Sequence, residues 1–336
     1  SGRIAGRYLS EDPALENVQS DPAIAKGPAA AGGVRDEFGL RGSLLYEFDS
    51  GASLLLRGHY EADNGVNATP LNDSLDLKKH EISSEGGGVQ DTDNDFYGAS
   101  LESEATVGRW RLYSLTAFEG YDQDYGFDFD GTPAPFGNPN LNANLHYDRK
   151  FSQASEELRA QTEAGPARIL IGAHIAWEDF SQDYLIWCGA IDEETLVGSC
   201  PYVGAAGRIG PSPASPGTAV TLLTHIEQTR KTAALFTYND INLSERLTLT
   251  LGGRYTFEAI DGEGYGLHVF DDGVRAHNNR DGLGAAIGEN RIEENRFTGN
   301  AALRYAFSDA TSVYASFASG YKSGGFNGEV QNNATH

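Results

Sequence analysis

From Arg246 to Glu258 the chain alternates with period two. Leu247, Leu249, Leu251, Tyr255 and Phe257 share one parity, and Arg246, Thr248, Thr250, Arg254 and Glu258 share the other. Successive side chains of an extended chain point to opposite faces, so this is a strand with one apolar and one polar face. Its thirteen residues exceed the roughly 5–6 of an ordinary soluble strand. They suit a tilted strand crossing a bilayer, which needs about 9–11. The pattern recurs. Phe38, Leu40, Leu44, Tyr46 and Phe48 oppose Arg41, Ser43 and Glu47; Leu54, Leu56 and Tyr60 oppose Ser53, Arg57, His59 and Glu61. Phe297, Ala301, Leu303, Tyr305 and Phe307 oppose Thr298, Asn300 and Arg304, and Val313, Ala315, Phe317 and Tyr321 continue the series. Ile169, Ile171, Ile175 and Trp177 repeat it more weakly, because Leu170 and Phe180 sit on the opposing face.

The connections alternate between short and long. Short turns are expected at Asp49–Ala52, Val107–Gly108, Gly165–Ala167, Asn242–Glu245 and Phe307–Ala310, where Gly, Pro, Asn, Asp and Ser supply turn conformations. Between them run long polar stretches near 11–35, 63–94, 122–149, 182–227 and 262–293. Compact soluble domains rarely hold one structureless loop of that length, whereas outer-membrane barrels combine short periplasmic turns with longer extracellular loops. Counting a first strand near Arg3–Tyr8 gives about eleven strands, and every long loop then falls on one side of the membrane. The expected fold is all-β: an antiparallel transmembrane β-barrel, with aromatic girdles where Tyr and Phe cluster at strand ends.

Composition narrows the alternatives. No run approaches the ~18 apolar residues of a transmembrane helix, and a mean hydropathy of -0.42 does not argue against a barrel, whose faces alternate. A formal charge of -23 leaves no basic footprint for nucleic acid; it points to solvated acidic loops, with cation binding there the alternative. The chain has no Met and begins Ser1-Gly2-Arg3-Ile4, without a signal sequence, as expected of a piece cut from something longer. Cys188 and Cys200 fit neither zinc nor thioredoxin spacing. In an oxidising compartment they are expected to close a small disulfide loop; two separate thiols are the alternative.

From Asn295 onward a family likeness enters. Tyr314-Ala315-Ser316-Phe317-Ala318-Ser319-Gly320-Tyr321-Lys322-Ser323-Gly324-Gly325-Phe326-Asn327 resembles the glycine-rich strand exit of TonB-dependent receptors. Thr232–Phe236 followed by Leu247–Tyr255 and Glu258 is similar to a second family hairpin. Phe151-Ser152-Gln153 with Glu157-Leu158-Arg159 resembles a third strand, here with Ala154-Ser155-Glu156 inserted. The resemblance implies a 22-stranded barrel around an N-terminal plug, an outer-membrane location, and uptake of a scarce solute with TonB energy. The solute would be a metal chelate such as an iron siderophore, cobalamin or a glycan. On this reading residues 1–336 are about half a barrel, bordered by outer-membrane lipid, with the plug that contacts the TonB complex missing.

No nucleophile elbow, phosphate loop or zinc-hydrolase helix is present, so no catalytic residue, metal site or cofactor is expected. Asp91–Asp95 superficially resembles a calcium loop, but Phe96 replaces the required Gly, and it reads as a solvated loop. His59 and His174 read as lumen or interface residues. The ligand-contact candidates are aromatics: Tyr125, Phe127 and Phe129 on an extended arm, and Tyr184 and Trp187 in the loop from Ser181 to Gln228, with Trp187 mounted beside Cys188. A passive porin-like channel, a barrel-borne hydrolase and a soluble β-sandwich are the rival readings.

Overall fold

The structure is a computed structural model. It describes residues 1–13, 16–17, 34–66, 81–82, 91–128, 143–188, 191–192, 197–198, 219–270, 275–277 and 288–326. Eleven strands form one antiparallel sheet: β1 (Gly2–Glu11), β2 (Val34–Glu47), β3 (Ser53–Val66), β4 (Asp91–Val107), β5 (Trp110–Asp128) and β6 (Ala143–Ala164). Then follow β7 (Ala167–Cys188), β8 (Ala219–Ser244), β9 (Leu247–Phe270), β10 (Gly288–Ser308) and β11 (Thr311–Ser319). Each pairs with its neighbours in chain order, and a short strand, Arg275–His277, adds to the end of β9. No helix occurs among the described residues.

All five short turns occur at the expected places, although strand continues through Ser244 and Ser308, so the last two turns are confined to residues 245–246 and 309–310. Gly165 has φ 60°, and Pro166 next to it has its φ held negative. That pair fits the two central positions of a type II′ hairpin turn, whose twist matches the strands it joins. The long connections are shorter than expected, because strands continue into them. β7 runs to Cys188 and β8 starts at Ala219, so residues 182–188 and 219–227 are strand, not loop. Asp91–Asp95 likewise opens β4 instead of forming a loop. The inserted Ala154-Ser155-Glu156 is absorbed in β6 with no register shift on either side. In the other direction, β11 ends at Ser319, so Tyr321 is not part of it.

Register fixes the tilt. Ser53 pairs with Glu104, yet β4 runs three residues further before Val107 meets Trp110. Ala167 pairs with Ile241, yet β8 continues to Ser244; Leu247 pairs with Tyr305, yet β10 continues to Ser308. A step of about three residues per two strands is roughly 10 Å along the strand over roughly 9.6 Å across. The strands therefore tilt by about 45°, at the upper end of the range for membrane barrels. Each residue then climbs about 2.3 Å along the barrel axis.

The apolar parity faces outwards and is uncovered: Phe297 is 69%, Leu235 64% and Ile175 58% exposed. Fully burying one such side chain contributes about 1.5–3 kcal/mol, so a wall of them requires a hydrocarbon surround. Edge-to-face pairs Tyr46–Phe48 and Tyr305–Phe307 mark the turn end, with centroids 4.7 and 4.9 Å apart. Tyr255–Phe257, at 4.8 Å, marks the other end. Leu247 to Phe257, ten residues, spans about 23 Å on the normal, close to the ~25 Å apolar band of such barrels.

The opposite parity carries ion pairs such as Arg57–Glu102 at 2.9 Å and Arg111–Glu104 at 2.6 Å. Thr248, Thr250, Arg254, Asn300 and Arg304 share this inward face by register. After Gly320 the chain turns back across it as a strap. Ser323 donates to Glu258, the Arg230 guanidinium to the Gly324 carbonyl at 3.2 Å, and the Phe326 N–H to Gln228 at 3.3 Å. The Phe326 ring lies on Gly262, where a Cβ would come within 2.2 Å of it. Beside the strap, on the same face, Ile260 is fully buried.

Candidate ligand-binding site on the lumenal wall

Beyond the apolar band the strands continue as a paired wall whose inner face is rich in aromatic and amide groups. Three consecutive inward rows can be followed across β4 to β8. The first is Phe96, Tyr121, Phe151, Phe180 and Gln228; the second is Asn94, Gln123, Arg149, Gln182 and Ile226. The third is Thr92, Tyr125, Tyr147, Tyr184 and Thr224. Alternation along each strand puts residues i and i+2 on one face, and the absence of any register shift in these four ladders keeps the rows aligned.

Arg149 stands at the centre. Its Nε donates to the Gln182 amide oxygen at 2.6 Å and its Nη1 to Gln123 at 3.3 Å, while the guanidinium carbon lies 3.8 Å over the Tyr147 ring. A planar cation held between two amides and an aromatic face is pre-oriented for planar or multidentate anions. Tyr147 and Tyr184 have centroids 4.9 Å apart, and Tyr121 stacks on Phe151 at 5.3 Å. At the flanks, the buried Thr92 Oγ, Asn94 Oδ1 and Thr224 Oγ have no hydrogen-bond partner among the described residues. Groups in that condition are costly unless something else satisfies them. Arg149 lies fifteen residues along β6 from Ala164, about 35 Å above the turns. The patch therefore sits some 10 Å beyond the apolar band, at the end from which the long connections leave.

Of the residues singled out in the sequence, the structure brings Tyr125 and Tyr184 into one row, with Tyr147 between them. Phe127 shares the parity of Tyr125, and its backbone pairs with Leu145; its side chain and all of Phe129 lie outside the described residues. Trp187 is not on a loop. It is in β7, paired with Asn144 and Thr221, 5% exposed, and three residues from Tyr184, hence on the outer face. The Cys188 side chain and Cys200 lie outside the described residues. Tyr147, Arg149, Gln123 and Gln182 are not singled out by the sequence, and Phe151 and Phe180 stand there only in strand and family patterns, not as ligand contacts. Period two along each strand was a usable signal for them, but cross-strand register was not readable.

A tilted antiparallel wall with a lipid-facing apolar belt and a polar inner face defines a membrane β-barrel segment. The family comparison then makes the assignment specific: residues 34–335 match the TonB dependent receptor-like β-barrel model, and the chain belongs to that family. Barrels of this family are outer-membrane proteins, and the family and its structural neighbours are transport receptors, not enzymes. A sequence comparison with curated proteins gives no match. Among solved structures, the ferric yersiniabactin uptake receptor FyuA from Yersinia pestis is similar at TM-score 0.65 and 14% identity, covering 94% of this chain and 41% of that one. The siderophore receptor PiuA from Acinetobacter baumannii follows at 0.62 and 12%, covering 94% and 44%. The ferric-catecholate import receptor Fiu from E. coli K12 gives 0.58 and 11%, covering 94% and 46%. These likenesses are of fold, and the chain spans less than half the length of each of these receptors.

Proposed function

We propose that this chain is the barrel wall of an outer-membrane receptor that takes up a scarce anionic metal chelate of the siderophore type, driven through TonB. The plug and the remaining strands belong to the rest of a longer protein. The observation that carries the reading is Arg149, fixed by Gln123, Gln182 and Tyr147 on the inner wall among the rings of Tyr125, Tyr184, Tyr121, Phe151 and Phe180. Ring faces take the flat apolar parts of a chelate, and the guanidinium takes its carboxylate or catecholate oxygens. Charge-assisted hydrogen bonds of this kind contribute about 1.5–3 kcal/mol each. The names of the structural neighbours, ferric yersiniabactin uptake and ferric-catecholate import, support this class over cobalamin or glycans.

The test is equilibrium binding of a panel of ferric chelates to the full-length protein and its Arg149→Gln variant. A chelate bound at least tenfold more weakly by the variant is expected, with neutral glycans unaffected. A protein that binds a neutral glycan or cobalamin, indifferent to Arg149, would overturn the ligand assignment.

A further inference from the structure

The lipid-facing side of the wall carries one group that hydrocarbon does not suit. Glu156 has outward parity on β6, between Thr116 of β5 and Ile175 of β7. Its neighbours on that face are apolar and uncovered: Leu158 is 52% and Ile175 58% exposed. Glu156 stands eight residues along β6 from Ala164, about 18 Å above the turns and inside the ~25 Å apolar band. Over β2 to β11, every other described outward side chain within ten residues of a short turn is uncharged. Lys231, an outward cation on β8, lies 4.5 Å over the Trp177 ring. It is thirteen residues from Ser244, about 30 Å up and beyond the band.

The carboxylate is held in place but not neutralised. The Ser114 hydroxyl donates to Oε1 at 2.7 Å, and the Thr116 hydroxyl donates to Oε2. A carboxylate accepts about four hydrogen bonds, so each oxygen retains an acceptor position. Arg159, two strand positions plus one away, pairs with Glu157 on the inner face instead. A charge facing hydrocarbon is costly unless paired, and such groups mark functional contacts. Apolar surfaces gain little by meeting in a bilayer, because lipid tails are equally apolar; packing and polar contacts drive association there. Ala154 and Ser114 beside Glu156 are small, so a partner's backbone can come close. Glu156 also belongs to Ala154-Ser155-Glu156, by which β6 departs from the family strand pattern. It is a feature of this chain and not of that pattern.

We propose that Glu156 is the docking point for another membrane-embedded protein, which places an arginine against it within the bilayer. The inference rests on the membrane-barrel reading above and is independent of the ligand assignment. A guanidinium fits because its two parallel N–H groups match the two remaining acceptor positions, one on each oxygen. It is also more weakly hydrated than an ammonium, so it leaves water at lower cost. A second copy of this wall does not supply the cation, because its outward face within the band carries none among the described residues.

The photocrosslinker p-benzoylphenylalanine is placed in the full-length protein at Leu158, beside Glu156, or at Leu303, on a distant part of the lipid face. Intact cells are irradiated and adducts are identified by mass spectrometry; heat-modifiable electrophoretic mobility checks that each barrel is folded. We expect one other membrane protein to be joined at Leu158 and not at Leu303. Glu156→Gln, which keeps nearly the same shape without the charge, should lower the yield at least tenfold. Glu156→Arg should abolish it, and exchanging the partner's lipid-facing arginine for glutamate should restore the adduct in the Glu156→Arg protein. An adduct with a second copy, adducts with lipid alone, a yield indifferent to Glu156→Gln, or charge exchange without recovery overturns the docking point. Absence of the folded protein from the membrane fraction overturns the membrane reading itself, a distinguishable result.

Discussion

Leu303 and Ala302 are adjacent on β10 and face opposite ways, so one charge placed at each separates the two sides of the wall at nearly one depth. Leu303 is outward and 44% exposed, paired with Leu249; Ala302 is inward, paired with Thr250. Leu303 lies five residues from Ser308, about 12 Å above the turns and so near the middle of a ~25 Å apolar band. An arginine at the midplane on the lipid face costs about 2–4 kcal/mol. At 3 kcal/mol the folded population falls more than a hundredfold relative to unfolded. Ala302→Arg puts the same group into a polar lumen beside Thr250 and should cost under about 1 kcal/mol, since polar inner faces tolerate charge. Reversible urea unfolding of the full-length protein into and out of vesicles, followed by tryptophan fluorescence, measures both. Equal destabilisation, or a larger effect at Ala302, would refute the assignment of faces.

Three further outcomes follow. Cysteine at Glu263 should react with a membrane-impermeant maleimide on intact cells and cysteine at Ser50 should not; the reverse labelling would invert the topology. Gly262→Leu should displace the Phe326 ring, so backbone amides of 321–326 should exchange faster with deuterium while β6 and β7 are unchanged; unaltered exchange would mean that the ring does not rely on that gap. His225 donates to Asp183 at 2.7 Å and has Glu227 at 3.5 Å, and these carboxylates, Asp183 foremost, raise its pKa above the usual ~6.5. Its contribution to the β7–β8 pairing is therefore complete below about pH 6.5 and is lost as pH rises through the raised value. The His225→Gln variant should lose that pH dependence of local exchange, and its persistence would sink the assignment.

What could be read in advance follows the physics of the bilayer. Where hydrocarbon covers one face, Leu247 to Phe257 had to alternate, and Gly165-Pro166 had to turn. Above the membrane both faces meet water or other protein, and the pattern weakens unevenly. Asp122 to Asp128 still alternates, with Tyr125 and Phe127 opposing Asp122, Asp124 and Asp128, and the extended arm read there is strand in the structure. From Asp179 to Cys188 the alternation breaks where Leu185 and Trp187 make both parities apolar. Trp187 was misplaced for that reason: Gly, Ala and Pro nearby suggested a loop, while the ladder to Asn144 and Thr221 extended past it. Tyr125 and Tyr184 are recognisable as aromatic, but their meeting across Tyr147 depends on pairing residues separated by one long connection and a hairpin turn. Arg149 was missed for the same reason, since its partners Gln123 and Gln182 are distant in sequence. The glycine-rich exit after β11 was recognised as a motif, and its return over Gly262 is a tertiary fact.

Energised uptake tests the central claim most directly. Intact cells carrying the full-length protein or its Arg149→Glu variant are given radiolabelled ferric chelate at limiting concentration, with and without an uncoupler of the inner-membrane proton gradient. Accumulation should require the gradient and should fall at least tenfold in the variant, with equal amounts of folded barrel in the outer membrane. Uptake that persists without the gradient and is indifferent to Arg149 would contradict the account and identify a passive channel.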